Sequence, residues 1–333
     1  MTVIRKKKEY GGFLPLELNP GKEFFTKYEP YVRRYNTVKA AIYDLVVYLR
    51  KKRIYIPYYY CPSTSKAIKD IGIEVYFYHI NCNLEIECIP DREDSVVVLV
   101  DYFGVKNEYV SKKATDYKKA DIIIDRAHDF FSEPTLGNNI HNVYSAKKFF
   151  GIPDGAYLIS RARGLGKDEL ACSYDYAGYL LMSYECGTNL AYDQKKDTDF
   201  LLSNNYDSMS KLSLGLLKNV DYLRVKEQRL NNYKVLHKEF YDNELNIPDE
   251  CTAYQFPLLI TKKGIEIKDF LIKNGVFVST LWAGDDLKEN GNYSEINMMN
   301  NAVFLPVDQR YDEEDMEYLI CLVRAFLNNT WGD

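Results

Sequence analysis

Histidine is scarce in this sequence, and its cysteines lack the spacing of a metal site. There are four histidines and seven cysteines, and no two cysteines form a C-x-x-C pair. An odd number of cysteines also does not complete a disulfide framework. The sequence therefore argues against a metal centre and against a disulfide-stabilised secreted fold. We expect no bound metal, and reduced thiols in a cytoplasmic protein.

Long apolar segments and an excess of positive charge are also missing. The longest nearly pure apolar run, residues 96–100, is far shorter than the ~20 residues of a membrane-spanning helix. The basic cluster at residues 5–8 is followed by GGFLPLEL, which is not an uninterrupted apolar segment, so we expect no signal peptide. The net charge of −5 disfavours binding to a phosphate backbone. We expect neither a membrane nor a nucleic acid as a partner.

The composition is that of a globular protein larger than one hydrophobic core. A chain of 333 residues, 46 % of them hydrophobic, predicts two domains or one large domain with a lobe. Apolar residues recur with helical spacing in residues 37–50, with Asn36 as the expected N-cap, and a second helix is predicted at residues 62–71. Strands are predicted at residues 54–57, 74–80, 95–102, 121–125, 141–146 and 154–160. Their continuous apolar runs favour an α/β fold with a parallel sheet that is covered on both faces.

The second half of the chain lacks this regular alternation. Residues 172–206 show no sustained period and predict a loop-rich segment near a site or an interface. Residues 212–241 have helical spacing and predict a long helix, unbroken or broken once. Beyond them we predict strands at residues 252–260, 276–282 and 302–307 and helices at residues 267–273 and 313–327. We therefore divide the chain into a large domain (1–210), a connecting helix (211–245) and a small α+β domain (246–333).

Three polar positions stand where a strand ends or a helix begins. In open α/β sheets, ligands bind at the carboxyl ends of the strands. Asp125 closes the strand DIIID and can pair with a cation or simply cap a turn. Lys148 can be a nucleophile toward an aldehyde or a solvated lysine. The helix start at residues 36–39 can hold a phosphate or be an ordinary cap.

Together these three positions describe one cofactor. A lysine that forms a Schiff base, an aspartate for a pyridinium nitrogen and a helix N-terminus for a phosphate are what pyridoxal 5′-phosphate requires. Nearly the whole chain also resembles the DegT/DnrJ/EryC1/StrS family of sugar aminotransferases. The segments IIIDRAH, YSAKKFFGIPDGAYLIS, PYYYCPSTSKAI and VLVDYFGV are similar to four segments of that family. Asp125 and Lys148 are 23 residues apart, an interval of the size that the family shows.

The resemblance implies a fold and a set of roles. The fold is that of the fold type I, aspartate-aminotransferase-like enzymes, with a three-layer αβα large domain and a small α+β C-terminal domain. Lys148 would carry the cofactor and move the proton between Cα and C4′, Asp125 would hold the pyridinium proton, and His128 would lie beside the ring hydroxyl. The expected phosphate ligands are Ser145, Thr37, the Val38 amide and Lys39, and the residues expected beside the cofactor ring are Tyr60 and Cys61.

Several positions depart from the family pattern. Val38 replaces the usual Gly, and Asp101 stands where His is common. Ala156 replaces the second Gly after Pro-Asp-Gly, and Cys61 stands where an aromatic ring often stacks on the cofactor. Lys, Asp and Ser are nevertheless all present, so the departures leave the cofactor assignment in place and the substrate open.

Two functions follow as hypotheses. The first is an aminotransferase that moves an amino group from an amino acid, expected to be glutamate, to a keto group of a nucleotide-linked sugar in polysaccharide or glycoconjugate precursor biosynthesis. The alternative keeps the cofactor without transamination, as a dehydratase-like enzyme or as a binding or regulatory subunit. Lys148 favours the first, since dehydrating relatives are expected to carry His there. We expect a two-fold homodimer with shared active sites. Trp282 is interpreted as a packing residue.

Overall fold

The computed structural model describes residues 10–167, 169–260 and 262–330, without the side chains of residues 329 and 330. A seven-stranded sheet with the order β1-β7-β6-β5-β4-β2-β3 occupies its first half. Its strands are β1 (Val32–Tyr35), β2 (Arg53–Pro57), β3 (Glu74–Tyr78), β4 (Ser95–Val100), β5 (Asp121–Arg126), β6 (Ile140–Ser145) and β7 (Ala156–Ile159). Every residue of β4, β6 and β7 is buried. Both faces of the sheet are therefore covered there, as the apolar runs predict.

The sheet is parallel in its centre and antiparallel at one edge. The pairs β2–β3, β2–β4, β4–β5 and β5–β6 are parallel, whereas β7 runs antiparallel to β6 and β1 antiparallel to β7. The prediction of a parallel sheet is wrong for β7, and β1 has no counterpart among the predicted strands. Residues 146–155, which join β6 to β7, are too few for the helical crossover that a parallel pair requires.

Helices cover the sheet and form most of the second half. Among the described residues they are α1 (Val38–Leu49), α2 (Pro62–Asp70), α3 (Asn107–Asp116), α4 (Gly178–Cys186), α5 (Tyr192–Ser203), α6 (Lys211–Leu217), α7 (Tyr222–Glu239), α8 (Gly264–Lys273), α9 (Asp285–Asn290), α10 (Tyr293–Asn301) and α11 (Glu313–Thr330). Helix α1 packs on β1, β6 and β7, and α3 packs on β4 and β5. In the described part of the chain, no helix has both the length and the apolar character to cross a bilayer.

Helix α1 begins one residue later than the predicted cap. The Thr37 hydroxyl accepts a hydrogen bond from the Ala40 amide at 3.0 Å, so Thr37 is the N-cap and the prediction of Asn36 is wrong. Asn36 is buried, and its side-chain amide donates to the Asn205 carbonyl at 3.1 Å. The local sequence predicts that the Asn36 side chain caps the helix, but in the folded chain it bonds to a residue 169 positions away.

Helices α4 and α5 occupy most of residues 172–206, so the prediction of a loop-rich segment there is wrong. Helix α4 buries only Tyr179 and α5 only Thr198 and Leu202. Their large apolar side chains, including Leu181 and Phe200, are exposed instead. Helical periodicity in a sequence arises because one face is buried in the same chain. These two helices bury no such stripe, so their sequence carries no period.

The C-terminal part contains a separate two-stranded antiparallel sheet of β8 (Gln255–Leu259) and β9 (Ala302–Pro306), as predicted for residues 252–260 and 302–307. Helices α6 and α7 confirm the long helix in its broken form. The strand predicted at residues 276–282 is absent. Val276 and Val278 are buried and Phe277 is exposed, so the alternating pattern is real, but the segment pairs with no neighbouring strand.

Candidate functional site

The carboxyl ends of β4, β5 and β6 bring the candidate residues to one edge of the sheet. The Asp101 amide, just after β4, donates to the Asp125 carbonyl at 2.9 Å. The turn after β6 is tied to the start of α1, because the Gly155 amide donates to the Asn36 carbonyl at 2.8 Å and the Ala146 amide donates to the Gly155 carbonyl at 3.0 Å. The segments that carry the predicted lysine and helix cap are thus joined, and β6 also pairs with β5, the strand that carries Asp125.

Asp125 is buried, and both of its carboxylate oxygens accept hydrogen bonds. Oδ2 accepts from the Tyr60 hydroxyl at 2.8 Å, and Oδ1 accepts from the Ala127 amide at 2.9 Å. The pKa of Asp125 is raised above its ordinary value, chiefly by burial, and these two hydrogen bonds and the charge of Lys148 offset part of that rise. The carboxyl therefore caps the following turn, and it also faces a phenol and a cation.

Lys148 lies in the β6–β7 turn and is only partly exposed. Its ammonium lies 5.4 Å from the centre of the Tyr254 ring, a cation–π contact. It donates no hydrogen bond to any described group, whereas the neighbouring Lys147 ammonium is paired with Asp199 at 2.8 Å. A lysine that is near a carboxylate and an aromatic ring, with its donors free, is available to react with a ligand.

His128 packs between aromatic rings from the C-terminal part of the chain. Its ring stacks on Trp282 with centroids 5.2 Å apart and lies 5.3 Å from the Tyr254 ring. Burial and then the charge of Lys148 lower the pKa of His128 well below its usual value, so the imidazole is neutral. Trp282 does pack, as expected, but against a candidate site residue. Tyr254 is a site residue that sequence reasoning misses, since nothing local distinguishes it from the other 29 tyrosines.

The start of α1 and the end of β6 supply the candidate phosphate ligands. The amides of Val38 and Lys39 lie in the first turn of the helix, where main-chain N–H groups have no intrahelical partner. Ser145 is buried at the end of β6. The Lys39 ammonium is not free, because it donates to the Ser203 carbonyl at the end of α5. The amide of Lys39, rather than its side chain, is therefore placed for an anion.

Cys61 is the N-cap residue of α2, next to Tyr60. Its Sγ atom lies 3.3 Å from the Ser63 hydroxyl, and the residue is partly exposed. A thiol offers no ring for stacking, so an aromatic contact from this position is lost.

Arg126, which follows Asp125 at the end of β5, is the centre of a buried network of polar side chains. Arg126 is fully buried, and Asp101 and Asp129 lie beside it. Burial raises the pKa of both carboxyls, and the Arg126 charge lowers it. Asp101, at a position where the sequence resemblance implies His, forms an ion pair with Arg126 at 3.8 Å.

Comparisons with known proteins identify the fold. No protein-family model matches the sequence, and no curated protein matches it in sequence. Similar solved structures include the Escherichia coli GDP-4-keto-6-deoxy-D-mannose-3-dehydratase with bound hydrated PLP, with a TM-score of 0.63 and 14 % identity over 90 % of this chain and 89 % of that one. A putative sugar aminotransferase, Spr1654 from Streptococcus pneumoniae, in its PMP form has a TM-score of 0.61 and 14 % identity over 91 % and 90 % of the two chains.

A DegT DnrJ EryC1 StrS aminotransferase from Brucella abortus has a TM-score of 0.59 and 12 % identity over 89 % of this chain and 85 % of that one. At these identities the comparison establishes the fold. The expected architecture is confirmed: the chain has the fold type I architecture of the DegT/DnrJ/EryC1/StrS aminotransferases and related PLP enzymes.

Proposed function

We propose that the chain is a pyridoxal phosphate-dependent aminotransferase that transfers an amino group from an amino acid to a keto group of a nucleotide-linked sugar. The observation that carries the proposal is the position of Lys148 relative to the buried Asp125, because the Lys148 charge lowers the pKa of that carboxyl. Among the described residues the Lys148 ammonium donates no hydrogen bond, and it lies 5.4 Å from the centre of the Tyr254 ring. Both stand at the carboxyl edge of the sheet, where α/β folds bind ligands.

The residues at this edge fit the cofactor. Lys148 can bind its aldehyde carbon, and Asp125 keeps acceptor capacity for a ring N–H, because a carboxylate has about four lone-pair positions and two are used here. The Thr37 hydroxyl, the Val38 and Lys39 amides and Ser145 would hold the phosphate. This set provides a nucleophile, an anion and an anion-binding helix start.

The protein's part in the reaction follows from these positions. When bound, pyridoxal phosphate supplies an electron sink that stabilises negative charge at the amino acid Cα. Asp125 holds the proton on the ring nitrogen, and Lys148 moves a proton between Cα and C4′. Neutral His128 can donate or accept a hydrogen bond beside the ring without adding charge.

The choice of substrate rests on the structural relatives. Named sugar aminotransferases are among the solved structures of this fold, and one relative has bound GDP-perosamine, a nucleotide sugar. A 3-dehydratase with a similar TM-score shares the fold, so fold alone does not separate transamination from dehydration. Lys148 supports transamination as the proposed reaction, because a lysine can both bind the cofactor and carry the proton. Glutamate is the proposed donor.

We also propose that the protein forms a homodimer through helices α4 and α5. Helices α4 and α5 expose Leu181 (69 %), Tyr184 (91 %) and Phe200 (70 %), a concentration of apolar surface that a partner would cover. Lys147 and Lys39 hold α5 against the site through Asp199 and the Ser203 carbonyl. A homodimer that covers α4 and α5 would therefore lie beside both active sites.

The domain limits and the compartment are also part of the proposal. The seven-stranded sheet lies within residues 32–159 and the two-stranded sheet within residues 255–306, which supports a large domain at 1–210, a connecting segment at 211–245 and a small domain at 246–333. All seven cysteines are unpaired, which fits a reducing, cytoplasmic setting.

The test is a half-reaction followed by absorbance. Glutamate is added to the protein loaded with pyridoxal phosphate, and the amine form, freed of glutamate, is then offered nucleotide-linked keto sugars or simple 2-keto acids. We expect glutamate to bleach the visible band and a keto sugar to restore it. Recovery only with 2-keto acids would refute the sugar assignment, and no change with glutamate would favour the non-transaminating alternative.

The matched variants are Lys148→Ala and Lys147→Ala. Borohydride reduction should fix the cofactor on Lys148, as peptide mapping would show, and Lys148→Ala should abolish the half-reaction. Lys147→Ala removes a neighbouring ammonium that is engaged with Asp199, and it should retain the covalent cofactor. A label on Lys147 would contradict the assignment.

A further inference from the structure

Tyr60 makes a direct contact with the acid that is proposed to hold the cofactor's ring nitrogen. Its hydroxyl donates to Asp125 Oδ2 at 2.8 Å, across 65 positions of sequence. Tyr60 is 3 % exposed and Asp125 is 6 % exposed, so water does not compete for this bond. A hydrogen bond to a buried charged group is among the stronger ones in proteins.

The geometry points to a role for Tyr60 that depends on the proposed cofactor: we propose that Tyr60 is a positioning residue that acts through Asp125, keeping the carboxylate ionised so that the shared proton resides on the cofactor's ring nitrogen. Donation from Tyr60 makes the carboxylate a weaker base. A weaker base competes less for the proton that lies between it and the pyridine nitrogen.

Lys148 and Tyr102 also interact electrostatically with Asp125, but neither is placed to take over the role of Tyr60. The Tyr102 hydroxyl is committed to the Tyr59 carbonyl at 2.9 Å. Lys148 is the residue proposed to bond to the cofactor, so its amine would then no longer be available as a hydrogen-bond donor to Asp125. Tyr60 and the Ala127 amide then remain to stabilise the ionised carboxyl against burial.

Tyr60 is also a donor at every working pH. Burial and the adjacent Asp125 charge raise the pKa of the Tyr60 phenol well above its usual value, so it stays protonated. The sign of the effect follows. Removal of the hydroxyl raises the pKa of Asp125, so as pH falls, the variant loses its ionised carboxylate, and with it cofactor affinity, at a higher pH than the wild type does.

The chain offers a matched control in the adjacent residue. Tyr59 is fully buried, and its hydroxyl has no hydrogen-bond partner among the described residues. Tyr60→Phe and Tyr59→Phe each remove one buried phenol oxygen and keep the ring. Only the first takes a donor from Asp125.

The experiment measures cofactor binding and protonation rather than turnover. Dissociation constants for pyridoxal phosphate are determined by absorbance from pH 5 to pH 8, and the ring nitrogen of ¹⁵N-labelled cofactor is observed by NMR. We expect Tyr60→Phe to weaken binding about ten-fold in the acidic part of this range, as loss of a charged hydrogen bond predicts. Its ¹⁵N signal should also move toward that of neutral pyridine. Tyr59→Phe should match the wild type in both.

A cofactor analogue separates this role from packing. In 1-deazapyridoxal phosphate, carbon replaces the ring nitrogen, so there is no proton to hold, and Tyr60→Phe should not weaken its binding. Equal losses for both cofactors, or an unchanged ¹⁵N signal, would overturn the inference while leaving the proposed function intact. Failure of the wild type to bind pyridoxal phosphate would overturn both. If Tyr60→Phe does not fold, 3-fluorotyrosine at position 60, a stronger donor, must shift the pH dependence in the opposite direction.

Discussion

Replacement of Arg126 by methionine tests how much the buried Arg126 charge stabilises the protein next to the buried carboxyls of Asp101 and Asp129. Arg126 has no exposed surface, and it forms an ion pair with Asp101 at 3.8 Å. Its guanidinium also donates to five side chains, those of Asn142, Asn107, Ser132, Ser111 and Thr135. Methionine keeps much of the volume and removes the charge and all the donors, so the variant leaves buried acceptors without partners.

The expected loss of stability is large. Removal of one partner from a buried ion pair costs about 3–5 kcal/mol in the free energy of unfolding. With a urea dependence of about 3 kcal/mol per molar, this lowers the unfolding midpoint by roughly 1 M or more. Arg310→Met is the control. Arg310 pairs with Asp308 at 2.7 Å, but its side chain is 61 % exposed, and such pairs contribute about 0–1 kcal/mol.

The deficit should also depend on pH. Burial raises the pKa of Asp101 and Asp129, so these carboxyls destabilise the folded state as pH rises above their unfolded pKa, and Arg126 offsets this effect. Without Arg126 both pKa values rise further, so the variant should lose more stability at pH 8 than at pH 5. Urea unfolding followed by circular dichroism at both pH values measures this. A midpoint as high as that of Arg310→Met, or a deficit that does not grow with pH, would refute the reasoning.

Three further pairs of substitutions, each a test and its control, examine the cap, the core and the interface. Thr37→Ala should cost about 1 kcal/mol of unfolding free energy and weaken cofactor binding, whereas Thr37→Ser, which keeps the capping oxygen, should do neither. In the same helix, Leu45→Ala should cost about 2–5 kcal/mol because Leu45 is fully buried, and Val47→Ala, at a 45 % exposed position, about 0.5 kcal/mol or less in urea unfolding. Leu181→Glu on α4 should shift the molar mass in light scattering from dimer to monomer. Leu223→Glu, at an 82 % exposed site on α7, should not, and a wild-type monomer that is active would contradict the dimer.

Local pattern was sufficient for the elements that bury a regular face in this chain. The stripe in residues 37–50 predicted α1, and the apolar runs at residues 95–102 and 121–125 predicted β4 and β5. A polar residue at or just after the end of an apolar run also predicted that Asp125 and Lys148 lie near the carboxyl ends of strands. Such patterns are readable because burial repeats with the period of the helix or strand.

Elements that bury little in this chain gave no such pattern. Helices α4 and α5 expose Leu181, Tyr184 and Phe200, so their apolar residues follow no stripe. The segment 276–282 shows the opposite case, since Val276 and Val278 are buried in alternation without strand pairing. An alternating pattern of apolar residues indicates which side chains are buried, but it does not show that the backbone forms hydrogen bonds to another strand.

The sequence by itself determined the α/β class, the strand and helix order of the first half and the identity of a lysine and an aspartate at strand ends. Only the tertiary structure decided what those two residues touch. It placed Tyr60 on Asp125, the Tyr254 ring beside Lys148 and Trp282 on His128. The physical reason is distance along the chain: periodicity reports interactions a few residues apart, whereas these contacts join residues 65 to 154 positions apart, which only the packed fold brings together.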